Sequence, residues 1–475
     1  MLPDDVLLAI FYFYVFKYRP FDELLFDVFN TKMEIESWQS LVHVCQRWRC
    51  LVLRSPRHLN LQLFCTPRIS ARKSLHIWPA LPLLIRCDDP GMEMETDNAI
   101  AEFEHSDRIS QIFLHCTTTS HIEKLCTAMQ VPFPKLNVLY LSLGGLKLSY
   151  VPVLPESFLG GSAPRLRFFS LNAIPFPALP KLLFSATHLV NLWLLNIPHS
   201  GYISPEAMAA CLSMLTNLKA FRLEFESPQS CPGQETRFPP PVTRSVLPAL
   251  VYFSFKGVNE YLEDLVSRID VPRLYSLWIS LFNDIHFDTL ELNQFISRTP
   301  TLEAYNEAHL TFYSREALVR LQSEGPDYRV VQVIILCQVS DWQLSSLAQI
   351  STLSLHLFLT MEDLYIYEDL DSPSDWKDDI ENTEWFDLLL PFTAVKNLYL
   401  CKKFAPRIAP ALQELTGRRT AEVLPALKKL FLEGFRPSEP VQEGIAQFIS
   451  ARQLTNHTIA VSLWDRDLSR EKRYR

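Results

Sequence analysis

The side chains able to do chemistry are scattered along this chain. Ten cysteines occur, and none forms a C-x-x-C pair. A zinc site needs clustered thiolates or imidazoles at short spacing, so no zinc-ligand spacing appears. The cysteines read instead as reduced core residues of an intracellular protein. Histidines such as His188 and His199 have no carboxylate or cysteine beside them in the sequence. No G-x-G-x-x-G, H-E-x-x-H or G-x-S-x-G occurs, nor the G-x-x-x-x-G-K-S/T phosphate loop. Gly160-Gly161-Ser162 is most simply a turn, and 12 glycines in all are too few to suggest a phosphate cradle. The expectation is a non-catalytic chain with no cofactor. A catalytic group assembled from distant positions stays open at this point.

Charge narrows the partners. The formal net charge is −8, which argues against nucleic acid, because phosphate backbones need a basic surface. The basic cluster at 466–475, ending Arg470-Glu471-Lys472-Arg473-Tyr474-Arg475, reads as a solvated tail. The segment Met361–Asp387 carries Glu368-Asp369-x-Asp371, Ser372-Pro373 and Asp378-Asp379-x-Glu381. Two readings of it are open: a solvated acidic loop, or an acidic lip or phosphorylation switch facing a basic substrate. No apolar run reaches the roughly 20 residues that a membrane span needs. Val6–Phe16 follows two aspartates and precedes no small-residue cleavage site, so it is not expected to be a signal peptide. The implied location is cytoplasmic, nuclear or both.

With 48% hydrophobic residues the chain can build a large core, and a repeat says how. The pattern L-x-x-L-x-L, often led by proline, begins near Ile109. It appears at Leu136-x-x-Leu139-x-Leu141, Leu166-x-x-Phe169-x-Leu171 and Leu189-x-x-Leu192-x-Leu194. It continues at Leu218-x-x-Phe221-x-Leu223, Leu250-x-x-Phe253-x-Phe255 and Leu274-x-x-Leu277-x-Ile279. Weaker copies sit at Leu302, Val331 and Ile350, and good ones return at Val395-x-x-Leu398-x-Leu400 and Leu427-x-x-Leu430-x-Leu432. Successive copies are mostly about 20 to 32 residues apart, the range of leucine-rich solenoids. Helix signals fall between copies: Ser204-Pro205-Glu206 with Met208, Leu212 and Leu215, then Tyr261–Ile269, Leu290–Ile296, Ala317–Leu321, Trp342–Ala348 and Val441–Ile449. Strand, helix and strand in sequence predict parallel strands with right-handed crossovers. The copies are irregular, and the asparagine expected after each strand is mostly missing; Asn172 and Asn196 are only near that place. An ordinary α/β sheet of buried strands is the competing architecture.

Alternate residues of a strand point to opposite faces. If the leucines face the core, the residues between them face the open side: Phe113, Tyr140, Ser170, Trp193, Arg222, Ser254, Trp278, Tyr399 and Phe431. Aromatics and arginine anchor interfaces. Phe113, Tyr140, Trp193, Arg222, Trp278, Tyr399 and Phe431 are therefore candidate substrate-binding residues. The alternative is that the chain's own loops or helices cover these rings as a second core layer.

Ahead of the repeats stand two apolar helices, Leu2–Phe16 and Ser37–Arg54. In the first, Pro3 suits a first turn, and Asp4 and Asp5 complement the helix dipole. Apolar residues occupy both of its sides, so a partner is expected to cover what its own domain does not. In the second, Trp38, Leu41, Cys45, Trp48 and Val52 fall at helical spacing, and Pro56 ends the pattern. Leu2-Pro3 before an apolar helix, followed by Leu41-Val42-x-Val44-Cys45-Gln46-Arg47-Trp48-Arg49, resembles an F-box. The tract through SPRHLNLQLFCTPR is similar to F-box proteins of mushroom-forming (basidiomycete) fungi. A plain helical hairpin capping the next domain is the simpler reading.

The resemblance implies a substrate-recognition subunit of an SCF-type cullin-RING ubiquitin ligase. The F-box would dock on the Skp adaptor, and the repeat domain would bind an unknown protein substrate. Leu2, Pro3, Val6, Leu7, Ile10, Val44, Cys45 and Trp48 are the implied adaptor-binding residues, with Trp48 tying the two helices together. An interaction scaffold that does not direct ubiquitylation is the alternative. The expected fold class is α/β, a helical F-box followed by an irregular leucine-rich-repeat-like solenoid. The expected boundaries are 1–58 for the F-box-like domain, with an insertion at about 17–36, and 59–108 for a junction with short strands around Leu61, Leu63, Leu75, Ile77, Leu83 and Ile85. The repeat domain then takes 109–465, with loops at about 227–247 and 361–387, and ends in the 466–475 tail.

Overall fold

A single local geometry recurs wherever the first leucine of the motif stands. The Leu136 N–H donates to the carbonyl three residues back, at Phe133, 3.2 Å away, and the chain then runs straight into a strand. In this computed structural model the same turn closes at Leu166 on Ala163, Leu189 on Ala186 and Leu218 on Leu215, and again at Leu250, Leu274, Leu302 and Leu427. Each of these leucines is buried. The structure describes residues 2–16, 37–59, 61–65, 80–87, 100, 102–144, 150–231, 243–282, 289–302, 305–323, 329–337, 342–353, 355–369, 381–414, 422–434, 441–454 and 457–466. The 17–36 insertion, Leu75 and Ile77, the centre of the acidic segment and residues 467–475 lie outside them.

The chain forms two compact units, Met1–Pro232 and Gly233–Arg475, dividing inside the proline-rich stretch between Ser227 and Leu247. The first unit opens with α1 (Asp4–Phe16), α2 (Ser37–Val44) and α3 (Gln46–Arg54). Seven strands follow: β1 (Leu63–Cys65), β2 (Leu83–Cys87), β3 (Ile109–Cys116), β4 (Val138–Leu143), β5 (Phe168–Asn172), β6 (Asn191–Ile197) and β7 (Ala220–Phe225). They pair in chain order, all parallel. Helices Thr119–Ala128, Leu179–Leu183 and Pro205–Ser213 lie in the crossovers that parallel pairing requires. Ser204 caps the last of these as expected, its Oγ accepting from the Ala207 N–H at 3.3 Å.

Register aligns the motif. Ile112, Leu139, Phe169, Leu192 and Phe221 form one transverse row, and Leu114, Leu141, Leu171, Leu194 and Leu223 the next. All ten are buried. Each such side chain contributes roughly 1.5–3 kcal/mol when fully buried. At the strand ends Asn196 Nδ2 donates to Asn172 Oδ1 at 2.8 Å, and Asn172 Nδ2 to Ser142 Oγ at 3.1 Å. These two asparagines therefore link three successive strands.

The second unit holds β8 (Ser245–Val246) and β10 (Ile269–Asp270) as a small parallel pair. Its main sheet contains β9 (Tyr252–Gly257), β11 (Ser276–Phe282), β12 (Glu307–Phe312), β13 (Glu316–Gln322), β14 (Val330–Leu336), β15 (Asp363–Glu368), β16 (Asn397–Leu400), β17 (Lys429–Glu433) and β18 (Ala460–Trp464). The order is β9-β11-β14-β13-β12-β15-β16-β17-β18. Helix Asn259–Ser267 packs on β9, and helix Trp342–Leu353 on β13 and β14. Neighbouring helices also cap one another. Buried Glu263 accepts from the Glu291 and Leu292 N–H groups at 2.8 and 3.0 Å, closing the start of helix Leu290–Ser297.

Four expectations are corrected. Ala317–Leu321 is not a helix but the body of β13, antiparallel to both β12 and β14. Only Tyr313-Ser314-Arg315 separates β12 from β13, and a parallel crossover needs a dozen or more residues. The weak copy at Ile350 lies in helix Trp342–Leu353, where Ile350 is buried. The span 361–387 is not one loop: β15 fills 363–368 between β12 and β16, and helix Asn382–Leu389 occupies its end. Ser37–Arg54 breaks at Cys45, whose φ of −160° and ψ of 167° are extended. The break is stabilised from both sides. Cys45 Sγ accepts from the Trp48 N–H at 3.5 Å, and Arg49 Nε donates to the Val42 carbonyl at 2.9 Å, satisfying a helix-end acceptor.

Candidate functional site: an apolar helix face and an aromatic sheet face

The helices of the first unit divide α1 lengthwise. Leu7 and Phe11 point inward, where Trp38, Leu41, Val42 and Val52 are also buried. Trp38 Nε1 donates to the Gln62 carbonyl at 3.1 Å, fixing α2 to the chain leading into β1. Arg47 holds the start of α1. Its Nη2 lies 2.6 Å from both Asp4 Oδ1 and the Leu2 carbonyl, and its Nε 3.1 Å from Asp4 Oδ1.

The opposite side of α1 is bare. Leu2 is 51% exposed, Val6 42%, Ile10 47%, Phe13 73% and Tyr14 45%. Steps of four and three or four residues put these on one helix face. Val44 at the end of α2 is 59% exposed, and Pro3 and Cys45 are exposed too. Six of the eight residues expected to touch an adaptor thus lie at the surface. Leu7 does not, because its turn of α1 faces the hairpin core. Trp48 is half-buried, with its ring 4.7 Å from that of Phe11 at 60°. Phe13 and Tyr14, outside the expected adaptor-binding set, are exposed on the same face.

The residues between the strand leucines form a second candidate face, and the structure splits it. In the first unit Phe113 is buried with Phe64 and Leu84, and Tyr140 packs half-buried against that cluster. Trp193 is 3% exposed. It lies between Phe168, with centroids 5.0 Å apart, and Arg222, whose Cζ is 5.3 Å from the ring. Arg222 is itself tied to Glu224, Nη2 to Oε1 2.6 Å. Phe113 and Trp193 are therefore corrected from candidate anchors to core, because neighbouring rungs close over them.

In the second unit the corresponding row is partly buried, at Ser254, Gln332, His309 and Tyr365. Register sets Ser254, Trp278, Gln332, Arg320, His309, Tyr365, Tyr399, Phe431 and Ser462 in one transverse row. Four of these rings stack. Centroids are 4.4 Å apart for His309–Tyr365, 4.1 Å for Tyr365–Tyr399 and 4.4 Å for Tyr399–Phe431, all within 11° of parallel. Trp464 leans on Tyr365 and Tyr399 at 6.0 and 5.7 Å. Tyr399, Phe431 and Trp278 remain half-buried, and Trp278 Nε1 donates to Ser276 Oγ at 3.0 Å. His309 and Tyr365 join this stack but are buried, so they belong to the core and not to an open face. The sequence signal for this strand was the alternation Leu364-Tyr365-Ile366-Tyr367, hidden beside the acids. Arg466, taken above as the start of the solvated tail, is buried with its Cζ 4.6 Å from the Tyr367 ring.

Burial shifts several titratable groups in each unit. Burial and the nearby Asp369 push the Glu316 carboxyl above its ordinary range, opposed by Lys256. Burial likewise raises Asp363, opposed by the hydrogen bond from Asn397 Nδ2 at 2.7 Å. Burial pushes the thiols of Cys126, Cys211 and Cys337 up to about 11, which removes them as nucleophiles at neutral pH. Among the described residues no group of three or more His, Cys, Asp or Glu is placed to hold a metal, and no helix is long and apolar enough to cross a membrane.

No protein-family model matches the chain, and no curated protein is significantly similar to it.

Proposed function

We propose that this chain is a non-catalytic receptor subunit of an SCF-type cullin-RING ubiquitin ligase, acting in the cytoplasm or nucleus. Its N-terminal helices are the F-box that docks on the Skp adaptor, and its repeat region is a leucine-rich-repeat-like solenoid that holds a protein substrate. The observation that carries the reading is the bare apolar face of Leu2, Val6, Ile10, Phe13, Tyr14 and Val44 on a helix whose other side is already packed. Leaving such side chains in water forgoes about 25 cal/mol for each Å² of apolar area, which a partner recovers by covering them. The recurring leucine turns and the asparagine links between strands support the solenoid.

The mechanism is proximity. The receptor fixes adaptor and substrate at separate places, and other subunits perform ubiquitin transfer. The half-buried rings Tyr399 and Phe431, together with Trp278, are the substrate-facing candidates that retain surface in the second unit.

Co-purification with the Skp adaptor tests the reading. Wild-type chain should retain the adaptor, and Val6→Asp with Ile10→Asp should lose it with unchanged circular dichroism. Equal retention by both would remove the adaptor-docking role. A chain that binds the adaptor but supports no ubiquitin transfer to co-purified partners in a reconstituted ligase is a scaffold instead.

A further inference from the structure

The main sheet of the second unit ends on β18, and the outer edge of that strand is open. Ala460 donates its N–H to the Lys428 carbonyl at 2.9 Å, so the backbone groups of Ala460, Ser462 and Trp464 turn toward β17. Those of Val461 and Leu463 turn the other way, and among the described residues no strand pairs with them. Their side chains are bare as well. Register places Val461 in the row of Leu398 and Leu430, and Leu463 in the row of Leu400 and Leu432. Those four leucines are buried, whereas Val461 is 41% and Leu463 68% exposed. Two core rows thus run out to the edge of the sheet and stop in solvent.

Proteins guard such edges with lysine, proline or a bulge. Ala460-Val461-Ser462-Leu463-Trp464 has no charge and no proline, and it pairs with β17 without a register shift. The first strand of the chain, β1, is by contrast buried throughout. A lone extended peptide could satisfy the outward backbone groups of β18, but it would bring no leucine rows to meet Val461 and Leu463. A second copy brings both. We propose that two copies of this chain pair through β18, antiparallel about a two-fold axis at Ser462. Val461 of each copy then lies opposite Leu463 of the other, and each such pair exchanges both of its backbone hydrogen bonds. Ser462 faces its own counterpart, with Cα atoms about 4.5 Å apart. No charge of the strand meets its like in this register, in a chain whose net charge of −8 would otherwise repel a copy of itself. Because β18 pairs with itself and β1 is closed, assembly stops at the dimer. The pairing is independent of adaptor docking by α1.

Sedimentation equilibrium on the full chain over a concentration series tests it. The wild type should be a reversible monomer–dimer mixture that approaches twice the monomer mass as concentration rises. Ser462→Lys and Ser462→Glu each set like charges face to face on the two-fold axis. Each should weaken association about tenfold or more, with unchanged circular dichroism. Mixing the two variants should restore a dimer, because opposite charges then meet. Leu463→Lys puts a charge on a side chain already in water and should also prevent pairing; it gives the same reading if the Ser462 variants fail to fold. A wild type that stays monomeric at every concentration overturns the proposal and leaves the edge to a different chain. So does equal association by wild type and variants, failure of the mixed variants to pair, or growth beyond the dimer.

Discussion

Trp48 on α3 stands edge-on to Phe11 on α1, with ring centroids 4.7 Å apart at 60°. Phe11 has no exposed surface, while Trp48 keeps some. The pair is the hinge pin of the N-terminal helices: it joins the buried side of α1 to the hairpin, so that the other side stays outward. An edge-to-face pair of this kind contributes about 0.5–1.5 kcal/mol beyond simple burial.

Phe11→Ala should therefore cost about 3–5 kcal/mol locally, through lost transfer energy and the cavity left behind. Trp48→Ala should cost less, because solvent already reaches part of the ring. Limited proteolysis should cut within 1–58 in Phe11→Ala before it cuts the repeat region, and denaturant titration should show an early transition. Equal resistance to wild type would mean that the hairpin is held elsewhere.

Val6→Asp and Ile10→Asp should leave stability within roughly 0.5 kcal/mol of wild type, since both side chains already face water. Their effect should appear only in partner binding. A large loss of thermal stability in either would show that the face is covered by the chain itself.

The Asp4–Arg47 bridge is short, yet the two side chains are 58% and 37% exposed. Exposed pairs contribute about 0–1 kcal/mol and weaken with salt. Arg47→Met should thus shift the midpoint little, and less still at high ionic strength. It should instead increase fraying of the first turn of α1, which hydrogen exchange at its amides would record.

Glu316 gives the second unit a pH dependence of predictable sign. Its folded pKa lies above the ordinary value of 4.5, so the folded form binds the proton more tightly than the unfolded form. Stability then falls as pH rises from about 4.5 through the raised value, and the full penalty is present above it. Glu316→Gln should raise the melting temperature at neutral pH and flatten the dependence across that window. Parallel pH profiles for wild type and variant would remove Glu316 as the cause.

Asn196 has a positive φ of 49° while donating to Asn172. Asparagine tolerates that backbone, whereas a β-branched residue does not. Asn196→Gly should lose the link alone, costing roughly 0.5–1.5 kcal/mol. Asn196→Val should lose more, by adding backbone strain of about 1–3 kcal/mol. Thermal melts of the two variants give the order.

Much of this architecture was legible residue by residue. The motif leucine closes its turn on the carbonyl three residues back, and the next two apolar positions alternate into the core, so Leu136, Leu139 and Leu141 announce a strand without help from distant chain. The apolar run after Pro3 likewise announced a helix with apolar residues on both sides. Neither signal says what lies opposite. Trp193 is core because Phe168 and Arg222 stand on the adjacent strands, and Leu7 is core because the hairpin folds beneath it. Ala317–Leu321 runs as a strand because β12 and β14 flank it. Its alternation Ala317, Val319, Leu321 was short enough to pass for a helix turn.

The local sequence determined turns, strands, helix caps and the two apolar stripes, because each rests on hydrogen bonds or alternation within a few residues. Tertiary structure decided which side of each stripe meets water. Arg466 shows why: its guanidinium donates to the Glu368 carbonyl at 2.9 Å and covers Tyr367, although about a fifth of the chain's length separates the partners. Burial depends on side chains brought together by strand register, and register is a property of the assembled sheet rather than of any one segment.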